Sequence, residues 1–245
     1  MVTQSGVSGS YPFWIYTPED YDDSQKQPVV IFLHGRSLCG RNLQRVLRYG
    51  PLDAVKRGMV LPAIVLAPQN PGGSWSPTKV MAMLDWVEAH YAVDRTRVYV
   101  LGMSLGGYGA MDVAGACSDR IAAAMALCGG CDLADMSMLG QTPLWILHGT
   151  ADRAVPISAS KRVVNYLEST GNDTRLRYDW LPGASHGALA RAFYLKDTYD
   201  WLFAHSLKDE GRPVERYISI DNDLLHMAYS ELRELSRLVG EDDND

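Results

Sequence analysis

Residues 102–106 read Gly102-Met103-Ser104-Leu105-Gly106. They lie between the apolar run Arg97-Val98-Tyr99-Val100-Leu101 and the small-residue run Gly107-Tyr108-Gly109-Ala110-Met111. A serine that attacks a carbonyl must project its Oγ clear of the backbone. A sharp turn from strand into helix does this when the positions two before and two after the serine carry no bulk. The start of the helix also presents free N–H groups and the positive end of its dipole to a developing oxyanion. The chemistry implied is acyl transfer with Ser104 as nucleophile. The five letters alone say little; the strand before them and the helix after them give the pattern its meaning.

Such a serine needs a base and an acid that orients it. The run Pro143-Leu144-Trp145-Ile146-Leu147-His148 is strand-like, and Asp152 follows it in Gly149-Thr150-Ala151-Asp152-Arg153-Ala154-Val155-Pro156. A further strand, residues 175–181, empties into Pro182-Gly183-Ala184-Ser185-His186-Gly187. Parallel strands put their carboxyl ends on one edge, so Ser104, Asp152 and His186 converge there despite their separation, in the order Ser…Asp…His. Ser104 attacks, His186 takes and returns the proton, and Asp152 fixes the imidazole. Against this, Asp152 alone would suit an Asx-turn or a helix cap. Asp179 is the rival acid, but alternation within its strand makes it a solvated position. His205, at the end of a helical run, reads as a C-terminal helix charge, and His226 belongs to the tail. The oxyanion donors are expected to be the backbone N–H groups of Leu105 and Arg36, with Ser37 as second choice for the latter; His34 reads as a structural residue holding that early loop.

The elements that must position these groups alternate. Strand-type runs fall near 12–17, 28–34, 62–68, 97–103, 121–128, 143–148 and 174–181, and helical stretches near 41–58, 77–91, 105–116, 156–170 and 189–205. Alternation of this kind implies an α/β protein with a mostly parallel central sheet and helices on both faces. At 245 residues and 47% hydrophobic content the chain can bury one substantial core. We place a catalytic domain at 1–210 and a C-terminal extension at 211–245. In the extension, residues 213–220 alternate like a strand and Asp221 or Asn222 can cap a helix. That helix carries an apolar stripe of Leu225, Ala228, Leu232, Leu235 and Val239 and stops at Gly240, before an acidic end. It packs back on the domain or forms a homodimer seam.

The set LHGRSLCG, APQNPGGSW, GMSLGGYGA, HGTADRAVP and GASHG resembles the α/β-hydrolase superfamily over roughly residues 11–207. Within it the chain is similar to the compact esterases and "predicted peptidases" related to phospholipase/carboxylesterases, polyhydroxybutyrate depolymerases and feruloyl esterases. It departs from dienelactone hydrolases, which carry cysteine where this chain has Ser104, and from prolyl oligopeptidases, whose propeller repeats it lacks. The resemblance implies the α/β-hydrolase fold and a serine carboxylesterase acting on short-chain or aryl esters, feruloyl or hydroxycinnamoyl esters among them. A small-peptide or amide hydrolase is the enzymatic alternative, and a catalytically silent binding module on the same fold is the alternative of another class.

Substrate contacts are expected from Trp75, Gln69 and Ser37. Trp75, in the glycine-rich loop 67–75, would wall the acyl or leaving group, and Gln69 would orient a polar group. Arg36 and Arg41 would favour acidic substrates if their region borders the site; otherwise they form a solvated face. No long apolar lid separates the strands, which argues against a lipase for long-chain lipid. A formal net charge of −6 gives no reason to invoke nucleic acid. No stretch is apolar enough to span a bilayer, and the first residues lack a basic-then-apolar signal pattern, which leaves the compartment open between cytoplasmic and secreted or periplasmic. Cys128-Gly129-Gly130-Cys131 has redox or metal-like spacing, but no second Cys/His pair completes a zinc set. These are ordinary thiols or a small-loop disulfide, and Cys39 and Cys117 pair only if the fold brings them close. No cofactor is expected, and the partner is a small-molecule or polysaccharide-linked ester.

Overall fold

We describe a computed structural model covering residues 1–4, 6–212, 214, 219–228 and 230. Eight strands form one sheet: β1 (Val2–Gln4), β2 (Phe13–Tyr16), β3 (Gln27–Leu33), β4 (Ile64–Pro68), β5 (Val93–Met103), β6 (Ala123–Leu127), β7 (Leu144–Gly149) and β8 (Leu176–Leu181). Their spatial order is β1-β2-β4-β3-β5-β6-β7-β8. β1 and β2 run antiparallel to their neighbours, whereas all pairs from β4 onward are parallel. The helices are α1 (Pro51–Lys56), α2 (Pro77–His90), α3 (Leu105–Ala116), α4 (Ser158–Ser169) and α5 (Lys196–Phe203).

The central strands are buried on both faces, so alternation sorts their side chains between two cores rather than between core and water. Val30, Phe32, Tyr99, Leu101, Met125, Trp145 and Leu147 face α1, α5 and the 3₁₀ segment Gly187–Tyr194. Val29, Ile31, Leu33, Val98, Val100, Ala124 and Ile146 face α2, α3 and α4. The carboxyl ends of β3 to β8 therefore open onto one edge, where the loops after them meet.

Three features depart from the expected elements. β1 adds an antiparallel edge strand ahead of the expected seven. The helix expected over 41–58 breaks at Gly50, which adopts φ 101° with Pro51 opening α1 behind it; before the break lies the 3₁₀ segment Leu43–Arg48. A Cβ on Gly50 would strike the Phe32 ring. The helix expected over 189–205 breaks at Leu195, whose backbone is extended.

In the extension, Asp221 caps a helical stretch at 222–228 by accepting the Leu224 N–H at 2.8 Å. Leu225 and Ala228 are buried in the core shared with Trp201 and Phe193, so the start of the stripe packs on its own domain. The expected strand falls largely on residues outside those described, as do Leu232, Leu235, Val239, Gly240 and the acidic end. Arg212 ties this region beneath the sheet, donating to the carbonyls of Ile121, Ala122 and Gln141. Among the described residues, no helix is long and apolar enough to cross a membrane.

Candidate active site

Ser104 stands between β5 and α3 with φ 59° and ψ −121°, a region that non-glycine residues occupy at a cost of about 1–3 kcal/mol. The flanking glycines make the turn possible. A Cβ on Gly102 would overlap the Gly106 carbonyl, and one on Gly106 would overlap the carbonyl of Leu33 in β3. The turn is fixed from below by the Ser104 N–H, which donates to the Leu127 carbonyl at 2.8 Å.

Asp152 and His186 meet beside it. His186 Nδ1 lies 2.7 Å from Asp152 Oδ2, with the carboxylate fully buried and the imidazole 25% exposed. Burial pushes the Asp152 carboxyl upward. The Val155 N–H, the His186 ring and the Ala154 N–H outweigh that push and hold it below the usual carboxylate range. Ser104 and His186 both line a cleft of about 680 Å³ whose other walls include Gly35, Arg36, Ser37, Leu105, Tyr49 and Tyr108.

The early loop reaches the same cleft. A Cβ on Gly35 would lie 3.4 Å from that of Ser104. Leu105 is the first residue of α3, where backbone N–H groups have no partner within the helix. Arg36 and Ser37 are exposed at the cleft; Arg41 is not among its lining residues.

Two expected substrate contacts are corrected. Trp75 is only 3% exposed: its indole N–H donates to the His34 carbonyl at 3.2 Å and its ring packs edge-on against Tyr11 and His34. Gln69 is 1% exposed and donates to the carbonyls of Leu38 and Asn42, at 3.0 and 2.9 Å. Neither lines the cleft. Both brace the loop that follows β3, as do Arg45, which donates to the Ser37 and Cys39 carbonyls, and Tyr49, whose hydroxyl accepts the Gly35 N–H. His34 belongs to the same brace: its Nε2 accepts the Asn70 N–H, and burial lowers its pKa to about 4.

The rival residues lie elsewhere. Asp179 is partly exposed, as expected of a solvated strand position, and it also accepts from Trp145 Nε1 at 2.7 Å and Arg177 Nε at 3.0 Å. His205 is not a surface helix charge but is buried against Trp201, with its pKa pushed down to about 4 by desolvation. His226 meets Arg191.

All four cysteines are free thiols. Cys128 Sγ, an Asp152 oxygen and a His186 nitrogen lie within 4.8 Å of one another. Burial, with the nearby Asp152 carboxylate, pushes the Cys128 thiol well up, and burial pushes Cys131 up to about 12.

The profile of the phospholipase/carboxylesterase family matches residues 76–199, which spans the elbow, the acid and the histidine. The chain belongs to the phospholipase/carboxylesterase family. A solved thermostable esterase is 26% identical to this carboxylesterase-family chain with a TM-score of 0.66, over 80% of this chain and 59% of that one. This chain therefore spans less than two thirds of that esterase. The feruloyl esterase module from Clostridium thermocellum, solved with sinapinate, is 18% identical with a TM-score of 0.63, covering 85% and 88% of the two chains. A ferulic acid esterase from Anaeromyces mucronatus is 19% identical with a TM-score of 0.57, covering 78% and 85%. These two share the α/β-hydrolase fold with this carboxylesterase-family protein. No curated protein matches the sequence.

Tyr49 and Tyr108 went unnoticed in the sequence. Tyr108 had a signal, the single bulky residue in Gly106-Gly107-Tyr108-Gly109, one helical turn past Ser104. Tyr49 had none, because it reaches the cleft only through the break at Gly50.

Proposed function

We propose that this carboxylesterase-family hydrolase works through an acyl-enzyme on Ser104 and cleaves short-chain or aryl esters. The observation that carries the reading is the 2.7 Å pairing of His186 Nδ1 with the buried Asp152, in the cleft that also holds a strained Ser104. That pairing leaves Nε2 as the base. Ser104 Oγ attacks the ester carbonyl carbon while Nε2 takes its proton. The oxyanion is stabilised by the N–H groups of Leu105 and Arg36, and collapse breaks the C–O bond as His186 protonates the leaving alcohol. Water then repeats the sequence and releases the acid, with Asp152 holding the imidazole throughout.

The cleft, about 680 Å³ and lined by Met103, Val155, Ala190 and the two tyrosines, has room and apolar surface for a short acyl group or an aromatic ring. The aromatic surface is supplied by Tyr49 and Tyr108 rather than Trp75, which keeps hydroxycinnamoyl esters within the reading. The test is hydrolysis of p-nitrophenyl acetate and methyl ferulate at neutral pH, with Ser104→Ala as blank. Serine-dependent turnover of both supports an aryl-ester site. Turnover of the acetate alone restricts it to short acyl groups, and turnover by Ser104→Ala overturns the nucleophile.

A further inference from the structure

His148, at the end of β7 and four residues before Asp152, is completely buried. Its Nε2 lies 3.0 Å from the Val155 carbonyl oxygen and 3.5 Å from Asp152 Oδ2, the same oxygen that meets His186. Its Nδ1 lies 2.8 Å from Ser160 Oγ in α4, and that hydroxyl lies 2.7 Å from the Gly129 carbonyl oxygen. Gly129 in turn packs on the first turn of α3, where a Cβ on it would press on the Gly107 backbone and the Tyr108 nitrogen. A polar chain thus runs from the Asp152 loop to the Gly129 carbonyl, and the Gly129 backbone packs against the helix that carries Ser104.

We propose that His148 is a positioning residue for the hydrolytic reaction, a second imidazole that fixes the Asp152 loop and sets the charge Asp152 presents to His186. This rests on the Ser104–His186–Asp152 reading above.

The proton inventory supports it. Val155 O and Asp152 Oδ2 both only accept, so a neutral His148 must carry its proton on Nε2. Three links join the Val155 and Gly129 carbonyls, through Nε2, between Nδ1 and Ser160 Oγ, and from Oγ onward. A neutral imidazole and one hydroxyl supply two protons for those three links. The third arrives only when the ring becomes an imidazolium beside the Asp152 carboxylate. Burial opposes that and lowers the His148 pKa, while Val155 and Asp152 pull it back up and His186 adds to the lowering. Cys128 is the other titratable group set against this carboxylate, and it stays protonated.

The experiment compares wild type with His148→Phe, His148→Gln and Ser160→Ala, with active sites counted by a fluorophosphonate probe and kcat/KM followed from pH 5 to 9. Loss of the ring N–H in His148→Phe leaves Asp152 more negative and less fixed. We expect kcat per counted site to fall about tenfold or more with KM within about twofold. The acidic limb of the profile moves to higher pH. His148→Gln, whose amide N–H can still face Asp152, recovers most of both changes, and Ser160→Ala moves both in the same direction by less. If His148→Phe fails to fold, the other two variants decide. An unchanged kcat and an unmoved limb in the folded variants overturn the proposal. That outcome alongside an inactive Ser104→Ala leaves the triad standing, whereas an active Ser104→Ala removes the triad itself.

Discussion

Two loops leave the same edge of the sheet and end differently. In the segment after β4, residues 69–75, the exposed middle lies between the buried side chains of Gln69 and Trp75, both spent on the backbone of the loop that follows β3. The segment after β7 turns its acid toward His186, because the Ala154 and Val155 N–H groups hold one carboxylate oxygen and leave the other for the ring. Both follow parallel strands, and the first is glycine-rich with an aromatic residue, as a substrate wall would be. What separates them is the location of unpaired backbone partners. The loop after β3 leaves carbonyls that Gln69, Arg45 and Trp75 satisfy, so those residues are drawn inward. Position at the carboxyl edge of the sheet is therefore not enough to place a side chain in the cleft.

The sharpest way to break the contrast is Asp152→Asn, which keeps the shape but lets the imidazole take the wrong tautomer. We expect kcat/KM for p-nitrophenyl acetate to fall by about 10³–10⁴ with little change in thermal midpoint. Trp75→Ala should do the reverse. It removes a buried ring, and urea titration is expected to show a loss of about 3–5 kcal/mol, while turnover per folded molecule stays near wild type. A raised KM for aryl esters without loss of stability would return Trp75 to the cleft.

The bracing side also predicts an acid sensitivity. His34 and His205 hold pKa values of about 4 against an ordinary 6.5. The unfolded chain binds more protons between those values, so stability is complete above about pH 6.5 and falls as pH drops toward 4. Each histidine then costs about 2 kcal/mol at pH 5. Urea midpoints at pH 7 and pH 5 measure this, and His205→Phe should remove about half of the difference. The smallest effect belongs to Tyr108→Ala, expected to raise KM for methyl ferulate about fivefold and to leave p-nitrophenyl acetate nearly unchanged. Equal effects on both would deny the ring a role in aryl recognition.

Much of this was legible because it rests on local signals. Gly102-x-Ser104-x-Gly106 after an apolar run specifies its turn through steric exclusion, and the apolar strand runs needed no tertiary information. The order Ser104, Asp152, His186 followed from which strand each group trails. What stayed hidden depends on partners far apart in the chain. Gln69 reads as a free amide until the carbonyls of Leu38 and Asn42 are seen beside it. His205 reads as a helix-end charge until Trp201 and the sheet enclose it. The break at Leu195 has no glycine or proline to announce it, since its extended backbone is set by packing.

The strand order has a further consequence for how function fails. Ser104 hangs from β5, which is flanked by β3 and β6 in the middle of the sheet, whereas His186 hangs from β8 at its edge. Edge elements open locally at lower free energy than central ones, and amide exchange reports the difference. On gentle heating, deuterium should enter β8 and the loop at 182–187 while β5 remains protected. On the proposed pairing of Ser104 with His186, activity should then be lost by fraying of one margin, before the molecule as a whole unfolds, and should return on cooling without refolding of the core.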